Sequence, residues 1–132
     1  MYKSVIFLFC FTPFLMDISK NDELAKSMLR GKEIYIEFCI KCHSGNGQGT
    51  GIIIPPLAKS DYLMKYRKES IRSVKYGQSG KIIVNGIEYN ATMPSAYLED
   101  EEVADVMNYI LNSWGSSSKN IVTAQEVKAI LK

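Results

Sequence analysis

The sequence predicts a small all-α domain with one short β-hairpin. Two segments, 22–38 and 100–114, repeat apolar residues at helical spacing and predict two long helices. Between them, Ile82-Ile-Val-Asn-Gly-Ile-Glu-Tyr89 places Asn-Gly between two β-prone triplets, which is typical of a type I′ hairpin. With 132 residues, 46% of them hydrophobic and 23% charged, the chain is long enough for one globular domain.

The most specific motif follows the first predicted helix. Cys39-Ile40-Lys41-Cys42-His43 is the attachment sequence of a c-type haem. Two thiols at this spacing can each form a thioether with one haem vinyl group, and the adjacent imidazole can reach the iron from one face. We therefore expect one covalent haem c, attached through Cys39 and Cys42, with His43 as an iron ligand.

Three other interpretations of the cysteine pair compete with haem attachment. A zinc site needs further Cys or His ligands, but His43 is the only histidine and Cys10 lies in the apolar N-terminal segment. A thioredoxin-like motif would follow a strand, whereas the residues before Cys39 predict a helix. A Cys39–Cys42 disulfide in a purely structural module predicts a colourless protein.

The two ends of the chain are predicted to lie outside the main domain, which spans 21–114. Residues 1–20 carry Lys3 ahead of an apolar stretch, which indicates a signal peptide or N-terminal anchor. We therefore expect a periplasmic protein, with membrane association only if this segment is uncleaved. Residues 115–132 predict a linker and a short helix that begins with the capping box Thr123-Ala-Gln-Glu126.

The first long helix is predicted to present one apolar face to the core. Five residues form that face: Leu24, Met28, Ile34, Tyr35 and Phe38. Gly31 costs a helix interior about 1 kcal/mol, so we expect another helix to approach closely there. After His43, four glycines alternate within 44–51 without the strand or Lys-Ser/Thr of a phosphate loop. We expect this loop to run against a flat ligand.

The middle of the chain predicts two short helices, over 61–66 after the N-cap Ser60 and over 68–76 before Gly77. This region is basic, and its cations are Lys59, Lys65, Arg67, Lys68, Arg72, Lys75 and Lys81. With an acidic stretch over 88–105, it is expected to steer a protein partner. A net charge of +2 is too weak to indicate nucleic acid binding.

A second axial ligand is expected from methionine, because bis-histidine ligation needs a second histidine. Met93 lies on a loop immediately before Pro94, which restricts it to an extended backbone. The hairpin before it and the helix after it would hold that loop across the haem. Met28 and Met107 fall on apolar helix faces, where packing is the expected role. Met64 lies on a short amphipathic helix and is a weaker candidate for the ligand than Met93. We predict His43/Met93 ligation.

These motifs together resemble the class I c-type cytochromes over residues 27–114. The resemblance rests on Gly31 with Tyr35, the C-x-x-C-H motif, Pro55-x-Leu57, Met93-Pro94, and the helix ending Val106-Met-Asn-Tyr109-Ile-Leu. It implies a cytochrome c fold wrapped around the haem, with the two long helices crossing near Gly31 and Tyr109. It also implies that the Pro55 carbonyl accepts a hydrogen bond from the His43 ring.

A finer likeness links Val-Asn-Gly-x-x-Tyr-Asn-x-x-Met-Pro and neighbouring strings to cytochrome c domains that are attached to or serve bacterial copper nitrite reductases and terminal oxidases. It implies redox partner proteins of those classes. We expect a respiratory electron carrier that performs no bond chemistry on a substrate. The alternative is a haem subunit or sensor whose open or labile sixth site binds gases or peroxide. An enzyme would need a distal polar group, and Arg67 and Arg72 are predicted as surface helix residues.

Overall fold

The computed structural model describes residues 14–132, and the side chains of residues 19–132. The helices are α1 (Phe14–Ile34), α2 (Ile40–His43), α3 (Asp61–Lys65), α4 (Arg67–Tyr76), α5 (Asp100–Leu111) and α6 (Ala124–Lys128), and the strands are β1 (Ile82–Val84) and β2 (Ile87–Tyr89). The predicted all-α class with one small hairpin is confirmed. Most of the predicted export segment, 1–20, lies outside the described residues. Within the described part, no helix is long and apolar enough to cross a membrane.

Helices α1 and α5 cross at Gly31, as predicted. A Cβ atom on Gly31 would collide with the Asp105 carbonyl oxygen and would lie 2.9 Å from the Tyr109 Cβ. The apolar residues that repeat at helical spacing in α5 are buried: Val103, Val106, Met107, Ile110 and Leu111. Only glycine at this crossing lets the two backbones come close enough to exclude water from the core.

A buried polar network ties the same two helices to the C-terminal segment. Asp105 accepts hydrogen bonds from Ser27 Oγ at 2.6 Å and from Arg30 Nε and Nη2 at 2.6 and 2.9 Å. The Asn108 amide donates to Ser27 Oγ at 2.8 Å and to the Val122 carbonyl at 2.9 Å. The Asn108 side-chain oxygen, Oδ1, also accepts a hydrogen bond from the Val122 N–H at 2.7 Å. Every member of the network has a partner, so the buried polar atoms add orientation without leaving an unsatisfied group.

The first helix ends in a π-helical turn over Tyr35–Cys39, where the Ile40 N–H reaches back to the Tyr35 carbonyl. The expectation that Phe38 shares the apolar face is wrong, because Phe38 is 47% exposed whereas Tyr35 is 1% exposed. A π turn holds more residues than an α turn. The residues after Tyr35 are therefore shifted around the axis, and Cys39, rather than Phe38, packs against the core.

The hairpin forms where it was predicted. Asn85 and Gly86 both have positive φ, 51° and 79°, as a type I′ turn requires. The turn also caps α3, because the Asp61 N–H donates to Asn85 Oδ1 at 2.9 Å and the Asn85 N–H donates to Asp61 Oδ1 at 2.7 Å. Ser60 is the N-cap of α3, as predicted, and its Oγ accepts from the Leu63 N–H at 3.3 Å.

The C-terminal segment packs closely on α4. Thr123 caps α6 by accepting from the Glu126 N–H at 3.2 Å, but the Glu126 carboxylate turns to Arg67, at 2.7 and 2.8 Å. The predicted capping box is therefore only half formed. Arg67 is not a free surface residue, since it also donates to the carbonyls of Asn120 and Ile121, both at 3.0 Å. These bonds hold the end of the chain against the helix.

Replacing Gly31 with alanine should destabilise the holoprotein by about 1–3 kcal/mol, because the added methyl group forces the α1 and α5 backbones apart. Urea unfolding followed by the haem absorption measures this. Gly45→Ala is the matched control, since a Cβ there meets only Ile40 Cδ1, at 3.7 Å. Equal effects of the two substitutions would contradict the close crossing.

Glu126→Gln should lower the free energy of unfolding by about 1 kcal/mol at pH 7. Hydrogen bonding to Arg67 holds the pKa of Glu126 below its ordinary value of 4.5. A lowered carboxylate pKa stabilises the fold above pH 4.5, and this stabilisation disappears as the pH falls through the folded-state value. The difference between Glu126→Gln and the wild type should therefore shrink below pH 4.5. Exposed Glu33→Gln is the control, and a difference independent of pH would refute the pairing.

Candidate functional site

One cavity collects every site residue that the sequence predicts. Cys39, Cys42, His43, Pro55 and Met93 all line it, together with apolar residues of α3, α5 and the hairpin. The cavity holds about 1040 Å³ of empty space, part of which is open to solvent. Residues far apart in the chain thus meet around one space large enough for a flat prosthetic group.

His43 is held in one orientation on the cavity wall. Its ring is 8% exposed, and Nδ1 lies 3.1 Å from the Pro55 carbonyl oxygen. Because a carbonyl can only accept, Nδ1 must carry the proton, which leaves the lone pair on Nε2. Burial lowers the pKa of His43, and the hydrogen bond to Pro55 opposes that shift in part. The arrangement favours a neutral imidazole, which is the form that binds a metal ion.

Both motif cysteines are free thiols at this cavity, Cys39 partly buried and Cys42 exposed. Burial, and to a smaller extent the charge of Cys42, raises the pKa of Cys39 to about 11. The free thiols give no support to the disulfide interpretation. Among the described residues, no three His, Cys, Asp or Glu side chains are placed to hold a metal ion, so a zinc site has no support either.

Two glycines of the loop after His43, Gly47 and Gly49, pack against protein, and the expected contact of the loop with a flat ligand stays a prediction. None of its glycines lines the cavity. A Cβ on Gly47 would lie 2.6 Å from Cε3 of Trp114. Gly49, whose φ is 70°, would push a Cβ into the carbonyls of Ile54 and Pro55. These glycines let the loop fold back and bring the Pro55 carbonyl to His43.

Three aromatic rings support that loop from behind. The ring centroids of Tyr35, Tyr109 and Trp114 lie 5.2 to 5.6 Å apart in tilted or edge-on arrangements. The Tyr35 hydroxyl donates to the Ser44 carbonyl at 2.6 Å, and Trp114 Nε1 donates to the Gly45 carbonyl at 3.1 Å. The rings thereby tie the backbone after His43 to α1 and α5.

Met93 enters the cavity from a loop that is paired with the end of α4. Its N–H and carbonyl both bond to the backbone of Gln78, each at 2.8 Å. Gly77 makes this pairing possible, because its φ is 87° and a Cβ there would lie 2.7 Å from the Met93 carbonyl oxygen. Ser95 Oγ adds a bond to the Lys75 carbonyl at 2.9 Å. The methionine loop is therefore fixed on both sides of Met93.

Among the methionines with described side chains, Met93 alone lines the cavity. Met107 is fully buried in the core and Met64 is 51% exposed. Met28 lies on α1, away from the cavity. These positions agree with the packing roles expected for Met28 and Met107.

The rest of the cavity wall is apolar and carries little charge. Of the described residues that line it, none is an arginine, lysine, aspartate or glutamate, and the polar ones are Ser60, Tyr62, Ser70, Ser73, Gln78, Tyr89 and Thr92. Two thiols, one oriented imidazole and one thioether therefore face an apolar space. This donor set and this wall fit a covalent haem.

Ion pairs neutralise much of the basic block over 59–81. Four of its seven cations are paired: Lys65 with Asp61, Arg67 with Glu126, Lys75 with Asp100 and Lys81 with Glu88. The acidic stretch supplies two of these partners. Electrostatic steering by the block is therefore weaker than the count of lysines and arginines suggested.

In comparisons with known proteins, the chain is similar to one family model and to several proteins. The family model described as cytochrome c matches residues 28–114. A protein named cytochrome c-552 from Thermus thermophilus is 40% identical over 116 residues, which covers 81% of this chain and 78% of the relative. The cytochrome c subunit of alcohol dehydrogenase (quinone) from Gluconobacter oxydans is 29% identical over 104 residues, which covers 76% of this chain but 21% of that protein.

Tyr35→Phe should destabilise the holoprotein by about 1–2 kcal/mol, because the Ser44 carbonyl loses its buried donor. Urea unfolding at neutral pH measures the change. Tyr97→Phe is the control: Tyr97 is 92% exposed, so losing its hydroxyl should change stability by less than about 0.5 kcal/mol. A Tyr35→Phe protein as stable as the wild type would show that the bond is dispensable.

Proposed function

We propose that this chain, which belongs to the cytochrome c family, is a periplasmic carrier of single electrons whose haem c is ligated by His43 and Met93. The observation that carries the proposal is the meeting of the C-x-x-C-H motif and Met93 at one apolar cavity. A bound haem c supplies a metal centre that is reversibly oxidised and reduced by one electron.

The proposed roles of the side chains follow from their chemistry and surroundings. Cys39 and Cys42 would each hold the haem through a thioether, which would make the attachment permanent. His43 offers Nε2 to the iron while the Pro55 carbonyl holds Nδ1–H. Met93 offers its thioether sulfur, a neutral ligand that raises the reduction potential. The apolar wall excludes water and also favours the less charged, reduced state.

We assign electron transfer in preference to catalysis or gas sensing. Haem enzymes position a polar or charged distal group over the open side of the iron. Here the described lining residues include no second histidine and no arginine, and Arg67 is engaged by Glu126. The methionine loop is held by two backbone bonds between Met93 and Gln78 and by the bond from the Ser95 hydroxyl to the Lys75 carbonyl, which supports a filled sixth site.

The proposed docking face is the open mouth of the cavity. Cys42 is exposed there, and Ile53 lines the cavity while remaining 62% exposed. The adjacent Ile52 is 77% exposed. An apolar rim next to the haem lets a partner approach closely, and the paired charges nearby contribute little long-range attraction.

The partners are proposed as other redox proteins. Relatives that are cytochrome c subunits of dehydrogenases, including the one named for gluconate 2-dehydrogenase in Pantoea cypripedii, support a dehydrogenase as one donor class. That copper nitrite reductases and terminal oxidases are partners stays a prediction, which rests on the sequence likeness alone. The periplasmic location is likewise proposed from the apolar N-terminal segment together with the haem-attachment motif.

Absorption spectra of protein made with the haem-attachment machinery test the proposal. We expect a sharp reduced c-type band, a weak sulfur-to-iron band at the red end of the oxidised spectrum, and no reaction of the reduced protein with carbon monoxide. A five-coordinate or carbon-monoxide-reactive wild type would favour the sensor interpretation. A colourless protein would overturn the assignment of haem.

Met93→Ala should abolish the sulfur-to-iron band, lower the reduction potential and allow complete carbon monoxide binding, because the sixth site loses its ligand. Spectroelectrochemistry and carbon monoxide titration measure these changes. The matched control is Met64→Ala, since Met64 is 51% exposed and does not line the cavity. If Met93→Ala kept the wild-type spectrum, another group would have to be the ligand.

A further inference from the structure

We infer that the C-terminal segment 119–131 acts through Lys75 to hold Met93 at the iron, so that Lys75 is a positioning residue for the sixth ligand. The inference deepens the proposed function and rests on it. The segment lies beyond residues 28–114, which the cytochrome c family model matches. It is nevertheless part of the core, because Val122 and Val127 are 2% and 0% exposed.

The first step of the inference is the attachment of this segment to both ends of α4. At the start of the helix, Arg67 holds Glu126 and two backbone carbonyls of the segment. At the end of the helix, Lys75 Nζ donates to the Val127 carbonyl at 3.0 Å and the Tyr76 hydroxyl donates to the Ile130 carbonyl at 3.1 Å. The helix is thus held at both ends.

The second step is the link from the end of α4 to Met93. The Lys75 carbonyl accepts from Ser95 Oγ at 2.9 Å. Three residues further along, Gln78 exchanges two backbone hydrogen bonds with Met93. Any shift of residues 75–78 is therefore transmitted to both sides of the methionine by short backbone connections.

Lys75 takes part in both steps, through its side chain at Val127 and through its backbone carbonyl at Ser95. Its Nζ also pairs with Asp100 Oδ1 at 2.8 Å, and the two side chains are only 15% and 29% exposed. Asp100 is the first residue of α5, which follows the methionine loop in the chain. Lys75 therefore connects α4, α5 and α6 directly behind the loop, and a partly buried charge-assisted contact is worth more than one at the surface.

The experiment compares the full-length holoprotein with variants that remove this contact. Lys75→Met keeps the length of the side chain but loses both the ion pair and the bond to Val127. We expect a weakened sulfur-to-iron band and about tenfold faster carbon monoxide binding to the reduced protein, because both Lys75 side-chain contacts that hold the end of α4 are lost. Lys75→Arg, which keeps the charge facing Asp100, should restore much of the wild-type behaviour.

Two further variants separate positioning from general loss of stability. Tyr76→Phe keeps the ring but removes the hydroxyl that donates to Ile130, and it should change the two signals in the same direction by less. Lys81→Met is the matched control, because it breaks the exposed pair with Glu88 on the hairpin without touching α6. It should match the wild type in both signals when all proteins are measured well below their melting temperatures.

The outcomes distinguish this inference from the proposed function. A wild-type protein without the sulfur-to-iron band would contradict Met93 ligation itself. A normal wild-type band that is unchanged in Lys75→Met and Tyr76→Phe would overturn the positioning role and leave the proposed function intact. Equal changes in Lys75→Met and Lys81→Met would overturn it as well, because the effect would then not depend on the C-terminal segment.

Discussion

The close crossing of α1 and α5 at Gly31 is the constraint on which the rest of the structure depends. A side chain there would collide with the backbone of Asp105. The crossing brings Asp105 within reach of Ser27 and Arg30, and one turn further it stacks Tyr109 against Tyr35. These contacts fix the end of α1 in space. Because the C-x-x-C-H motif continues directly from that end, the crossing also fixes the cavity wall that carries it.

The two halves of the candidate site are built by different means. His43 is oriented locally, by a loop that folds back within a dozen residues and needs glycines to do so. Met93 is held by residues distant in sequence, since its partners lie on α4, and α4 in turn is held by the C-terminal segment. A short motif can therefore specify the first half, whereas the second half depends on the packing of the whole domain.

This difference explains what could be predicted from the sequence. The long helices, the hairpin and the C-x-x-C-H residues follow from periodicity, turn chemistry and motif spacing, which are local properties. Met93 was chosen by comparing the positions of the methionines, and the role of Pro55 was implied by the family resemblance. The exposure of Phe38 could not be predicted, because the π turn before Cys39 has no distinct pattern in the sequence. The partnership of Arg67 with Glu126 was missed for a similar reason: a charged residue on an amphipathic helix is usually solvated, and Glu126 was expected to complete the capping box of the last short helix.

The ion pairs between residues distant in sequence change how the surface is expected to bind other proteins. A lysine that is paired with a carboxylate of the same molecule contributes little electrostatic field at a distance. Within the Debye length, the negative charge of the carboxylate cancels most of the field of the lysine. Lys75 and Arg67 therefore serve the fold first. The apolar residues beside the cavity mouth, Ile52 and Ile53, have no such internal role for their exposed surface. Recognition of a partner at this face should accordingly depend on close apolar contact. Such contact suits an electron-transfer protein that binds its partner transiently and then dissociates.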